Sequence, residues 1–205
     1  MVTSRYKSLF TGWLEPIARV LARAGVAPNA LTLAGPVLTS LVCVWYVRTA
    51  ATVPFCALVL AVGLVDALDG AVARAAGRVS RVGAYLDAIC DRYVDAIIVL
   101  AAAVVTGYWI LSMIVLTGAL IVSYAKARAA MEVTISNLEW PDLMERGERG
   151  VVFLAGLAAG AAVPWRPLDR DLFWWTLVTL AILTHVTVLQ RVLRARRYIL
   201  ERAPR

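Results

Sequence analysis

The 205-residue chain is 61% hydrophobic and only 17% charged, with a mean hydropathy of +0.74; soluble domains use roughly 45–50% apolar residues, so a soluble globular domain is excluded and an integral membrane protein is implied. The length leaves room for about six spanning helices of ~20 residues with short connections, and little for a separate soluble domain. The net charge of +7 does not form a soluble basic face, because most Lys and Arg residues flank apolar runs; this argues against nucleic acid and for anionic lipid headgroups and phosphorylated substrates as partners.

The N-terminal stretch "MVTSRYKSLFTGWLEPIARVLARAG" mixes Leu9, Trp13, Ile17, Val20 and Leu21 with Arg5, Lys7, Arg19 and Arg23 and has no continuous apolar core. That pattern predicts an amphipathic helix on the membrane surface over residues 1–27, not a cleaved signal peptide. A six-helix bundle is expected over 29–193, with hydrophobic segments at 29–48, 51–73, 82–106, 108–130, 149–164 and 172–193. Pro28 and Asn29 open the first, with Asn29 as its cap; "GYW" at 107–109 makes a tight turn, and "VPWRPLDRD" at 163–171 is a polar connection. The fold class is all-α, six transmembrane helices preceded by the surface helix, in a single domain spanning 1–205.

Basic residues crowd the N-terminal segment, the second loop (Arg74, Arg78, Arg81), the fourth loop (Lys126, Arg128, Arg146, Arg149) and the C-terminal tail (Arg191, Arg194, Arg196, Arg197, Arg202, Arg205). The opposite face holds Arg48, Arg166 and Arg170, accompanied by Trp109, Trp165, Trp174 and Trp175 as interfacial aromatics. Cytoplasmic flanks are enriched in Lys and Arg, so the expected protein is multi-pass in the cell membrane with both termini cytoplasmic.

Asp66, Asp69, Asp87, Asp91 and Asp95 fall inside two adjacent apolar segments. An ionised Asp near the middle of a membrane helix costs about 2.5–3.5 kcal/mol, so these acids need a counter-charge or a water-filled cavity. Asp66 and Asp69 are three residues apart and Asp87 and Asp91 four apart, which puts each pair on one face of its helix. Counting back from Arg74 and forward from Arg81 at ~1.5 Å per residue sets both pairs at similar depth below the cytoplasmic surface. Four converging carboxylates suit a hard divalent cation, Mg²⁺ or Mn²⁺, and such ions commonly hold phosphates. Gly70 and Ala73 would let a ligand approach the backbone beside Arg74, a phosphate partner, and Gly83 is similarly permissive at the start of the third segment. Two other readings stay open on these residues: a structural ion network with Arg74, Arg81 and Arg92, and a cation or proton pathway. The clustering near one face, not across the bilayer, favours a site open to the cytoplasm.

The run Asp66-x-x-Asp69-Gly70-x-x-Ala73-Arg74, then Gly83-x-x-x-Asp87-x-x-x-Asp91, resembles the complete signature of the CDP-alcohol phosphotransferase family, and "APNALT" before the first segment fits it too. The resemblance implies a six-helix membrane enzyme, usually a homodimer, that transfers a substituted phosphate from a CDP-linked lipid such as CDP-diacylglycerol to an alcohol and releases CMP. It implies that Asp66, Asp69, Asp87 and Asp91 bind metal, with Asp91 also the general base. It further implies that Asp66, Asp69, Gly70, Ala73, Arg74 and Gly83 line the nucleotide site.

Lys126, Arg146 and Arg191, in "SYAKARAAME", "MERGERG" and the last segment, come from three different helices on the cytoplasmic side and together suit a clamp for an anionic acceptor. Generic positive-inside anchoring explains Arg194, Arg196 and Arg197 better than these three. The Lys-Ala-Arg-Ala and Glu-Arg-x-Glu-Arg elements resemble those of the family's inositol-phosphate branch, which implies inositol 1-phosphate as acceptor. A phosphatidylglycerophosphate synthase using glycerol 3-phosphate is the alternative within the family; a cation transporter or a prenyl-transferring enzyme lies outside it. Cys43, Cys56 and Cys90 read as buried thiols without disulfides. His185 reads as a packed or hydrogen-bonded residue, Asp95 as an acid near Arg92 outside the metal site, and Gly156-x-x-x-Gly160 as a helix-packing pattern, intrachain or dimeric.

Overall fold

The computed structural model describes residues 15–133 and 146–202. The expectations for Arg5, Lys7, Leu9 and Trp13, for Met144 and Glu145, and for the Arg202 and Arg205 side chains lie outside the described residues. All regular structure among them is helical: α1 over 15–23, α2 Pro28–Thr49, α3 Thr52–Ala75, α4 Arg81–Thr106, α5 Trp109–Glu132, α6 Arg146–Ala162 and α7 Leu172–Arg202, with a 3₁₀ turn at Pro167–Asp169. The chain divides into two compact units, residues 1–101 and 102–205.

Four helices, α2, α3, α5 and α7, are long and apolar enough to cross a membrane. Helix α4 has the length, but Arg81, Asp87, Asp91, Arg92 and Asp95 lower its hydropathy, and α6 has only 17 residues. The outward faces of the four long helices carry large apolar side chains, among them Leu41, Leu60, Ile110, Ile114, Ile182 and Leu189, all exposed. Water would not tolerate so much apolar surface on a small domain, whereas lipid does. The protein is multi-pass and membrane-embedded.

In the first unit α2 begins at Pro28, whose fixed φ suits the first helical position; Ala27, in extended conformation, is the N-cap and no side chain caps the helix. This corrects the assignment of Asn29 as cap: Pro28 takes the first helical position and leaves Asn29 inside the first turn. The buried side of α2 is Thr32, Gly35, Thr39, Cys43 and Tyr46, at three- and four-residue spacing, and it packs on α3. At the far end Tyr46 stacks on Phe55 (centroids 4.0 Å apart, planes 8° apart) and its hydroxyl lies 3.1 Å from Thr52 Oγ1. The α2–α3 reversal turns on Ala50, in left-handed conformation with φ 52°, whose N–H donates to the Tyr46 carbonyl at 2.7 Å. At the near end α1 lays Ala18, Leu21 and Ala22 against Ala71, Val72 and Leu31, leaving Ile17 and Val20 exposed. Cys43, Cys56 and Cys90 are buried free thiols, as expected.

In the second unit α7 buries Phe173, Leu177, Leu180, Thr184, Thr187 and Arg191, a seam at alternating four- and three-residue steps that packs on α5 and α6. The turn expected at 107–109 forms with Gly107 at φ 77°. Next to it, the Tyr108 hydroxyl donates to Asp171 Oδ2 at 2.7 Å, and Asp171 Oδ1 caps α7 by accepting the Trp174 N–H at 2.8 Å. Burial first, and then this hydrogen bond, raise the Tyr108 phenol above the usual tyrosine range and keep it a neutral donor. His185 bonds the Ala181 carbonyl at 2.9 Å from an exposed position.

The Gly156-x-x-x-Gly160 pattern serves intrachain packing. A Cβ on Gly156 would stand 2.2 Å from Thr176 Oγ1, and one on Gly160 2.9 Å from the Phe173 backbone nitrogen, both on α7. Gly156→Ala therefore overpacks the α6–α7 contact and is expected to cost about 1–3 kcal/mol. Gly147→Ala, where nothing lies within 4 Å, is the matched control. Thermal unfolding in one detergent should separate the two variants clearly.

Candidate active site

Asp66 and Asp69 project from α3 and Asp87 from the second turn of α4, and the loop between the two helices lets the three carboxylates meet. That loop turns on Gly77, at φ 64°, and ends on Ser80, whose hydroxyl accepts the Gly83 N–H at 2.9 Å and caps α4. One carboxylate oxygen from each of Asp66, Asp69 and Asp87 lies within 4.8 Å of the others, and all three side chains are half-buried. Three like charges at that separation repel strongly in a poorly hydrated setting. The donors are all hard carboxylate oxygens, and they fit Mg²⁺ or Mn²⁺, which prefer oxygen ligands.

Asp91 lies one turn beyond Asp87 and outside that group of three. Its Oδ2 is 3.5 Å from Arg92 NH2, while Arg92 Nε lies 3.9 Å from Asp95. The ion-network reading thus holds for Asp91 and Asp95 with Arg92. Among the residues expected to line a nucleotide site, Gly70 follows Asp69 and donates its N–H to Asp69 Oδ1. A Cβ at Gly70 would lie 3.4 Å from Arg74 NH1, so the exposed Arg74 folds back over this glycine. Ala73 is half-buried on the same turn. Gly83 is a true close approach: a Cβ there would meet Ser80 Oγ at 3.1 Å and Asn29 Oδ1 at 3.2 Å.

The residues assigned to the acceptor belong to the second unit. Arg191 is buried, with 6% of its surface exposed, and donates from NH1 to the Val122 carbonyl on α5. Lys126, half-buried, sits one helical turn beyond Val122. Arg146, half-buried, opens α6, and Arg149, unassigned from sequence, is more deeply buried at 8% exposure. Arg128 is exposed and pairs with Glu132 at 2.5 Å.

Two residues beside the carboxylates escaped the sequence reading. Thr32 Oγ1 donates to Asp69 Oδ2 at 2.5 Å, and a Cβ on Gly35 would stand 2.9 Å from Asp66 Oδ1. Their signal was present in "TLAG", small and polar residues three apart in an otherwise bulky apolar run, facing Asp66 and Asp69 across α2 and α3.

A bundle of membrane helices carrying this acid cluster at these spacings defines a transferase class, and residues 25–182 match the CDP-alcohol phosphatidyltransferase family. The chain belongs to that family. Among its relatives, the archaetidylinositol phosphate synthase of Pyrococcus horikoshii is 35% identical over 189 residues, covering 90% of this chain and 91% of the relative. The phosphatidylinositol phosphate synthase of Corynebacterium glutamicum is 32% identical over 196 residues, covering 89% and 83%. Crystal structures of the Mycobacterium tuberculosis phosphatidylinositol phosphate synthase are similar at 28% identity: one with CDP-DAG bound (TM-score 0.77, covering 89% of this chain and 92% of that one) and one in complex with manganese and citrate (TM-score 0.78, 89% and 88%).

Proposed function

We propose that the protein transfers the phosphatidyl-type group of a CDP-linked lipid to the hydroxyl of inositol 1-phosphate, releasing CMP and forming a phosphatidylinositol phosphate type lipid. The observation that carries this reading is the grouping of Asp66, Asp69 and Asp87 oxygens within 4.8 Å at the positions of the family signature. Relatives named for inositol phosphate lipids support the acceptor.

In this reading Asp66, Asp69 and Asp87 hold a divalent cation, Mg²⁺ or Mn²⁺, with Asp91 completing the site. Such an ion supplies charge neutralisation for the diphosphate and for the departing CMP. Arg74 pairs with the nucleotide phosphates, and Gly70, Ala73 and Gly83 keep the surrounding wall low. Asp91 accepts the proton of the acceptor hydroxyl as that oxygen bonds to the lipid-side phosphorus. Lys126, Arg146 and Arg191 hold the acceptor phosphate, while the lipid tails remain in the bilayer. The chain forms one catalytic domain, with α1 on the membrane surface and six membrane-crossing helices, α2 to α7. Both termini and the site face the cytoplasm, and the enzyme works as a homodimer.

The test is CMP release by the purified protein given CDP-diacylglycerol, Mg²⁺ and each acceptor separately. Release is expected with inositol 1-phosphate and is expected to be at least tenfold slower with glycerol 3-phosphate. The reverse preference would overturn the acceptor and make the protein a phosphatidylglycerophosphate synthase. Ion flux, with no CMP released from the CDP-linked lipid whichever alcohol is supplied, would mark a transporter.

A further inference from the structure

We propose that Thr32 and Gly35 are positioning residues for the metal-binding carboxylates, Thr32 by locking Asp69 and Gly35 by leaving the space in which the Asp66 carboxylate stands. This rests on the reading of Asp66, Asp69 and Asp87 as metal ligands.

A carboxylate offers about four lone-pair sites, and an ion needs them presented in one orientation. Asp69 is held at both oxygens: Oδ1 accepts the Gly70 N–H and Oδ2 accepts the Thr32 hydroxyl. The Gly70 donor belongs to α3 and moves with Asp69. Thr32 belongs to α2, so its hydrogen bond is the one of the two that fixes the carboxylate against a second helix. Each oxygen keeps a lone pair for the cation.

The Thr32 hydroxyl has a local alternative. Its own-helix acceptor, the Pro28 carbonyl, lies 3.3 Å away, the usual resting place for a helical threonine. The contact to Asp69 is the shorter of the two, at 2.5 Å. One turn on, Gly35 is buried against α3 with Asp66 Oδ1 where its Cβ would be, 2.9 Å away. A methyl group there pushes on the movable end of the Asp66 side chain, not on backbone. Groups that hydrogen-bond a metal-ligating side chain typically contribute 10–100-fold to metal affinity.

The experiment is Mn²⁺ binding to the purified full chain, followed by the electron paramagnetic resonance signal of free Mn²⁺, with no nucleotide or lipid substrate present. Thermal unfolding without metal is measured alongside. Thr32→Val, which keeps the shape and loses the hydroxyl, is expected to weaken Mn²⁺ binding about 10–100-fold. Thr32→Ser is expected to retain most of the affinity. Gly35→Ala is expected to weaken binding tenfold or more in the folded protein, and because Pro36 follows it in the helix its unfolding midpoint is read beside the affinity. Wild-type affinity in Thr32→Val or in Gly35→Ala, or an equal loss in Thr32→Val and Thr32→Ser, would overturn the positioning role while Asp69→Asn still abolished binding. Wild-type affinity in Asp69→Asn would overturn the metal reading and this proposal with it.

Discussion

Asp91→Asn is expected to lower the rate of CMP release by about 10²–10⁴-fold, the usual contribution of a positioned general base. The amide keeps the size and the helix position of the carboxylate but takes up no proton at working pH. Asp91 lies outside the set of three close carboxylates, so the same substitution should weaken Mn²⁺ binding far less than Asp69→Asn does. The contrast separates the two roles: a metal ligand loses affinity first, a base loses turnover first. Turnover within tenfold of wild type would remove Asp91 from proton transfer and leave it in the ion network with Arg92 and Asp95. A parallel collapse of Mn²⁺ binding and turnover would make it a metal ligand first.

The clearest parts of this structure in the sequence were those set by spacing along one helix. The continuous apolar runs marked α2, α3, α5 and α7 to within a few residues at most ends, and the three- and four-residue spacing of the acids placed Asp66, Asp69 and Asp87 on converging faces. Helix α7 runs to Arg202, well past the expected end at 193, because apolarity defines a span and not a helix; Arg and Glu are good helix formers, and Arg197 pairs with Glu201 at 2.7 Å. The start of α2 was misread because Asn is a strong cap, but Pro28 occupies the first helical position and moves the cap to Ala27.

Contacts between helices were less legible. Nothing local in Thr32 or Gly35 says that Asp69 and Asp66 lie opposite; that depends on how α2 and α3 are set against each other. Likewise Gly156 and Gly160 carry a packing pattern whose partner, Thr176 and Phe173 on α7, the pattern itself does not name. Arg191 could be placed only once the α7 seam was known: six buried positions at alternating steps end on it and turn the guanidinium inward to Val122.

Lys126→Met is expected to raise the KM for inositol 1-phosphate roughly 10–150-fold, matching the 1.5–3 kcal/mol typical of hydrogen bonds to charged groups, with the KM for the CDP-linked lipid unchanged. Lys126 is half-buried, so Met replaces most of its packing and removes the charge alone. Arg191 is the less clean probe. It is buried and donates to the Val122 carbonyl, to which the α5 helix already directs the Lys126 N–H. Arg191→Met therefore strips a hydrogen bond from the α5–α7 contact and is expected to lower the unfolding midpoint as well as the rate. Unphosphorylated inositol gives the internal control: it lacks the group Lys126 holds, so its poor use should barely change in Lys126→Met, and the preference for the phosphorylated acceptor should shrink by the same factor as the KM rises. An unchanged preference would return Lys126 to the positive-inside anchors and leave recognition of the phosphate to Arg146, Arg149 or Arg191. A loss shared equally by both acceptors would place Lys126 in the donor site.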